Sequence, residues 1–147
     1  FMKVADPCHV VDNFAKSGNG ATYKDIYAMR LGETYLLRAE AYIQLGKKDL
    51  AAADINAVRA RAHAKPVDPA DVNIDYLLDE RIRELYGEEC RHFVLRRTGK
   101  LLERVRKYNN NPKNPGLNIQ DYNTLWPIPQ TQLDLNIGAK WEQNPGY

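Results

Sequence analysis

Two apolar helical stripes separated by the link Gly46-Lys47-Lys48 constrain this chain more than any other feature of its sequence. Leu31, Tyr35, Ala39, Tyr42 and Ile43 recur at the spacing of one helix face, which predicts a helix from about Tyr27. Either Thr22, with Asp25 three residues on, or Asp25 itself is placed to cap its start. Gly46 is placed to end it in a left-handed conformation. Asp49 then reads as the cap of a second helix, with Leu50, Ala53, Ala57, Val58 and Ala62 as its buried stripe. The link is too short to lead anywhere else, so the two helices lie antiparallel and adjacent. Alanines on the facing stripes let the axes approach closely, and Pro66 and Pro69 end the pair.

Residues 1–24 read as a connector, in which Val10 and Val11 suit a short strand and Lys16-Ser17-Gly18-Asn19-Gly20 a loop. A third helix starts near Asn73, with Ile74, Leu77, Leu78, Ile82, Leu85 and Tyr86 inward. The pattern leaves open whether it runs through Cys90 to Arg97 or breaks near Gly87. A mid-helix glycine costs about 1 kcal/mol relative to alanine, which argues for a bend. A fourth helix follows around Gly99, with Leu101, Leu102 and Val105 as its apolar side and Arg104, Arg106 and Lys107 outward. Beyond Tyr108 the run Asn109 to Gly116 is rich in Asn, Pro and Gly and reads as loop. Leu125-Trp126-Pro127-Ile128-Pro129 must be extended, because each proline pushes its predecessor out of the helical region. Gln130 to Asn136 suits one short helical turn. The expected class is all-α, helical over 25–108, with an irregular, ordered C-terminal wrap over 109–147.

At 147 residues the chain holds about one domain's worth of material. The net charge of +2 is too balanced for a nucleic-acid or polybasic membrane surface. No apolar run approaches the roughly 20 residues of a membrane helix. Cys8 and Cys90 are too few for a disulfide scaffold or a cysteine-rich zinc module, and the sequence leaves open whether they pair. The opening Phe1-Met2-Lys3-Val4 carries no signal segment and reads as cut. The closing Gln143-Asn144-Pro145-Gly146-Tyr147 reads as a natural, turn-forming end.

Few residues offer chemistry. Glu80, Glu84 and Glu88 recur at i, i+4 and i+8, stacking carboxylates on one face of the third helix. Paired carboxylates serve glycoside hydrolysis, yet Arg81, Arg83, Arg91, Arg96 and Arg97 lie on or beside the same helix as neutralising partners. Structural ion pairing is the better reading, and no catalytic residue is assigned. His9, His63 and His92 lack metal-ligand spacing, and Gly18-Asn19-Gly20 lacks the strand and lysine of a phosphate loop, so no metal or cofactor is implied. Trp126 and Tyr122 sit in an Asn-rich segment and are the weak candidates for a ligand contact, since sugars stack their flat C–H faces on aromatic rings. The position of Trp126 between Leu125 and Pro127 favours an anchor for the C-terminal wrap over a sugar platform.

Four ordered blocks carry a family resemblance. They are the hairpin from Leu31 to Tyr42 with Leu45-Gly46 and Asp54 to Ala62, and then Glu80-Arg81-Ile82-Arg83-Glu84-Leu85 with Glu88, Arg91, Phe93 and Leu95 to Gly99. Leu125-Trp126-Pro127-Ile128-Pro129-Gln130 with Asn136 follows, and the ending Gln143 to Tyr147 completes the set. Over residues 25 to 147 the chain resembles the C-terminal part of the SusD/RagB family, surface nutrient-binding lipoproteins of the Bacteroidetes outer membrane. Departures are local: the family commonly shows Gly, Trp and Asp where this chain has Glu89, His92 and Val94. Losing the aspartate removes an implied ion-pair partner beside Arg91 and Arg97.

The resemblance implies a fold of tetratricopeptide-like antiparallel helix pairs, whose fingerprint Tyr42, Gly46 and the alanines at 51 to 53 echo. One clear hairpin is too few for a stable solenoid, which fits a truncated chain. It implies non-catalytic binding of a glycan, or in RagB-like members a peptide, and delivery to a SusC-type TonB-dependent transporter. The ligand would bind mainly through N-terminal and middle regions that this chain does not contain. The lipid anchor likewise lies outside it, Cys8 having no lipobox before it. Glu80, Arg81, Glu84, Arg91 and Arg59 are implied to form a buried or half-buried ion network, with Pro127, Pro129 and Pro145 fixing turns. The alternatives are a stand-alone helical-repeat module for protein–protein interaction, and an enzyme using the Glu80/Glu84/Glu88 face.

Overall fold

Six helices form the regular structure of residues 27–147, which the computed structural model describes. They are α1 (Leu31–Gln44), α2 (Lys48–Arg61), α3 (Ile74–Leu85), α4 (Arg91–Arg97), α5 (Leu101–Tyr108) and α6 (Gln130–Leu135), and no strand occurs among the described residues. The expected connector, the strand at Val10 and Val11, the caps Thr22 and Asp25, and Cys8 and His9 lie outside the described residues. The chain divides into two compact units, one ending at Glu89 and the other starting at Cys90.

In the first unit α1 and α2 form the antiparallel hairpin. The Gly46 N–H bonds the Ile43 carbonyl and the Lys47 N–H the Tyr42 carbonyl, closing α1 with Gly46 at φ +71°. That left-handed position is where glycine carries no side-chain penalty. Three sequence expectations shift here. The first helix begins at Leu31, with Arg30 as its N-cap, four residues after Tyr27. Lys47, not Asp49, is the N-cap of α2, and Asp49 sits in the first turn, where its charge complements the helix dipole. The buried face of the hairpin is Leu36 and Ala39 against Ala51, Ala52, Ile55 and Val58, while Leu31 and Leu50 are exposed, as are Ala53, Ala57 and Ala62. Alanine lies on every side of α2, so its composition marks the inner face weakly. The larger Ile55 and Val58, packed against Leu36, decide the rotation.

Helix α3 covers the hairpin. Asn73 caps it by accepting the Tyr76 N–H at 2.9 Å, and Leu77, Leu78 and Leu85 are buried beneath it. Ile82 and Tyr86, expected inward, are exposed. Their places on the inner arc are taken by Arg81 and Glu84. Each buried leucine stabilises by roughly 1.5–3 kcal/mol relative to exposure. Between α2 and α3 the Asn56 amide acts as a surrogate peptide group. It donates to the Val67 carbonyl at 3.1 Å and accepts the Val67 N–H at 2.7 Å, seating Val67 and Val72 in the core. The chain breaks after Leu85, with Gly87 at φ +77°, which settles the open question in favour of separate helices.

The second unit holds α4, α5, α6 and the extended C-terminal segment. Val94, Leu95 and Leu101 are its buried apolar side chains. Arg104, expected outward, is only 5 % exposed, with its guanidinium 5.3 Å from the Tyr108 ring centroid. Its aliphatic stem and cation–π contact make burial tolerable. After Tyr108 the chain is irregular, apart from short 3-10 turns at Gly116–Asn118 and Asp121–Thr124 and the six-residue α6, as the proline and asparagine content requires. Cys90 is a free, exposed thiol.

Helix α2 ends with the same bond pattern as α1, but His63 stands at the left-handed position, with φ +52°. A side chain there costs about 1 kcal/mol, and glycine recovers it less its own larger unfolded-state entropy. Replacing His63 by glycine is therefore expected to stabilise the chain by roughly 0.5 kcal/mol. Urea denaturation would show a higher midpoint at an unchanged slope, and a lower midpoint would contradict this account.

Candidate functional site

The carboxylate face of α3 is built into the first unit by guanidinium groups from three elements. Glu80 accepts from Arg59 on α2 at 2.6 Å and from Arg83 at 2.8 Å. Glu84 accepts from Arg30 at the start of α1 at 2.5 Å and from Arg61 on α2 at 2.8 and 3.0 Å. Glu88, expected on the third helix, lies in the turn beyond the end of α3 at Leu85 and pairs with Arg30 as well. Arg30 also donates to the Glu84 carbonyl at 2.7 Å, and Arg81, 1 % exposed, donates to Glu89 at 2.6 Å. The bond to Glu88 is the largest reason the Arg30 guanidinium holds its proton more tightly than a free arginine; burial opposes it, and Glu84 adds to it. A second fork joins Arg38 on α1 to the buried Asp54 on α2, at 2.8 and 2.6 Å. The Asp54 carboxylate raises the Arg38 pKa above its ordinary value.

This network contains Glu80, Arg81, Glu84 and Arg59 of the five residues the resemblance implied, while Arg91 is the first residue of α4; Glu84 draws guanidinium groups from both ends of the hairpin, Arg30 and Arg61. Arg30, Arg61 and Arg38 escaped the sequence reading because their partners lie 54, 23 and 16 residues away. Glu84 lines an open groove of about 360 Å³ with Leu31, Tyr35, Ala57 and Val58. Both its oxygens accept guanidinium N–H groups, from Arg30 and from Arg61, which is the bonding of a structural ion pair. Among the described residues no group of three or more His, Cys, Asp and Glu side chains is arranged to hold a metal.

The aromatic candidates lie in the second unit and separate from one another. Trp126 is 53 % exposed, and its indole stacks on Phe93 with centroids 5.7 Å apart and an interplanar angle of 28°. Its Nε1–H donates to His92 Nε2 at 2.9 Å, and its carbonyl accepts from the Asn144 side chain at 2.6 Å. The Gln143 amide brackets Ile128, accepting its N–H and donating to its carbonyl, both at 2.8 Å, and the Tyr147 hydroxyl donates to the Leu125 carbonyl at 3.0 Å. Tyr122 instead meets Tyr147 edge-on at 5.3 Å, with its ring face against Gly146. Phe93 and His92 were not read as ring partners of Trp126, because no local pattern links positions 34 residues apart. A second open groove, of about 420 Å³, runs along Leu133, Asn136 and Ile137 to Trp141 and includes neither Trp126 nor Tyr122.

Residues 3–147 match the sequence profile of the SusD family, and the chain belongs to that family. It is 36 % identical over 132 residues to the starch-binding protein SusD of Bacteroides thetaiotaomicron, covering 86 % of this chain and 23 % of that protein. It is 34 % identical over 113 residues to the SusD-like protein P25 of Formosa agariphila, covering 73 % and 21 %. The solved structure named BT4246 superposes with a TM-score of 0.64 at 25 % identity, covering 88 % of this chain and 24 % of that one. The chain thus spans about a quarter of the length of the relatives it matches.

Two substitutions probe these contacts. Glu84→Gln leaves Arg30 and Arg61 facing a neutral amide. With Glu84 buried but Arg61 largely exposed, a loss of about 2 kcal/mol is expected in chemical denaturation, and an unchanged midpoint would contradict the network's role. A Cβ on Gly146 would lie 2.4 Å from the Tyr122 ring, at a backbone φ of +90°. Gly146→Ala is expected to cost about 2 kcal/mol or more and to shift the Tyr122 and Tyr147 ring resonances in NMR spectra.

Proposed function

We propose that this chain is the structural C-terminal portion of a longer, non-catalytic nutrient-binding protein held at the bacterial outer-membrane surface by a lipid anchor. In this reading the full-length protein captures a glycan and delivers it to a SusC-type TonB-dependent transporter, and it breaks no bond. The observation that carries the reading is the similarity, over most of the chain, to a protein named for starch binding. The same similarity favours a glycan over a peptide as cargo.

The physical arrangement supports a scaffold role for these residues. Ion pairs bind the hairpin to α3, and side-chain bonds to backbone hold the extended segment, so neither unit's main polar contacts await a reactant. Binding chemistry would then depend on shape and stacking surfaces offered by the complete protein.

The test uses the full-length protein on native gels cast with starch, xylan, laminarin or pectin. Retardation by at least one polysaccharide, without release of reducing ends, is the expected outcome. Co-purification of an outer-membrane transporter from detergent-solubilised membranes would support the delivery step. Free migration in all four gels, with no membrane partner recovered, would favour the protein-interaction module instead.

A further inference from the structure

We propose that the exposed Trp126–Phe93 ring pair, with His92 at its edge, is a glycan-contacting platform; this rests on the glycan-binding reading above. A tryptophan serving only as an anchor buries its ring, which supplies most of its stabilisation. Trp126 is held differently. Its indole N–H and its carbonyl are both taken by side chains, and Pro127 and the bracketed Ile128 fix the following backbone, while the residue as a whole is 53 % exposed. Phe93, also 53 % exposed, continues the aromatic surface. Rings fixed beforehand lose little conformational freedom when a ligand stacks on them.

The neighbouring polar group selects the kind of ligand. His92 accepts the indole proton on Nε2, so a neutral imidazole carries its own proton on Nδ1, where it is a donor. Among the described residues no hydrogen bond engages that nitrogen. A flat apolar surface with a hydrogen-bond donor at its edge matches a pyranose ring, which has an apolar C–H face and hydroxyl oxygens around its rim. Tyr122 adds nothing to this surface, because Gly146 packs against its ring.

The experiment compares the full-length parent protein with Phe93→Ala and with Leu117→Ala, an exposed aliphatic control, on the gels described above. Phe93 makes no hydrogen bond through its side chain, so its truncation leaves the clamp on Trp126 in place. With the polysaccharide that retards the parent, Phe93→Ala is expected to weaken binding roughly three- to tenfold and Leu117→Ala to leave it unchanged. A full-length Phe93→Cys variant is expected to react with a thiol reagent without denaturant, as read by mass spectrometry of the labelled peptide. Protection of that cysteine would mean that the rest of the protein covers the patch and would overturn the proposal. Reactivity with unaltered affinity in Phe93→Ala would overturn it too, while leaving the glycan-binding reading intact. A parent protein that binds none of the four polysaccharides, while the Phe93→Cys variant labels freely, would defeat the glycan reading and with it this platform.

Discussion

The carboxylate of Glu84 is the point at which the first unit is tied together. It is a buried acid on α3 held between guanidiniums from the residue that starts α1 and the residue that ends α2. An unpaired carboxylate in that position would carry a desolvation penalty of several kcal/mol. The hairpin ends must therefore stay where their arginines reach it, and that fixes the placement of α3 across them. Glu80 repeats the arrangement one turn earlier through Arg59. Apolar packing of Leu36, Ile55 and Leu77 drives the association, while the ion pairs select the register in which it occurs.

The C-terminal segment solves a different problem. Its prolines and asparagines exclude a long helix, so its backbone groups cannot satisfy one another through a regular ladder. Gln143, Asn144 and Tyr147 take over that role, each bonding backbone of the segment from Leu125 to Ile128. The last five residues thereby act as a clamp, and Gly146 is required because Tyr122 occupies the space a side chain would need. The clamp leaves Trp126 53 % exposed, so a residue held by scaffold contacts still presents surface.

Much of this was legible in the sequence, and the misses share a cause. The hairpin, the Asn73 start of α3 and the irregular segment after Tyr108 follow from local patterns with strong steric content: a three-residue link, a side-chain cap and proline-rich stretches. The inner face of α2 was misread because six alanines at positions 51 to 62 give the helix little amphipathic contrast. Arg104 was misplaced because charge was taken as a sign of exposure, whereas the Tyr108 ring receives its guanidinium. Trp126 was read as an anchor for the C-terminal wrap; side chains engage both its indole N–H and its carbonyl, while the residue is 53 % exposed, which was not expected.

By itself the sequence determined the all-helical class, the adjacent antiparallel hairpin, the extended proline segment and the family, because each depends on residues near one another or on ordered blocks of residue types. Only the tertiary structure decided which face of each helix is inner, which arginine neutralises which glutamate, and which rings meet Trp126. Apart from Arg83 with Glu80 and Arg81 with Glu89, those pairings join positions from 16 to 58 residues apart, and they are chosen by the cost of burying charge and by available volume, neither of which a local pattern encodes.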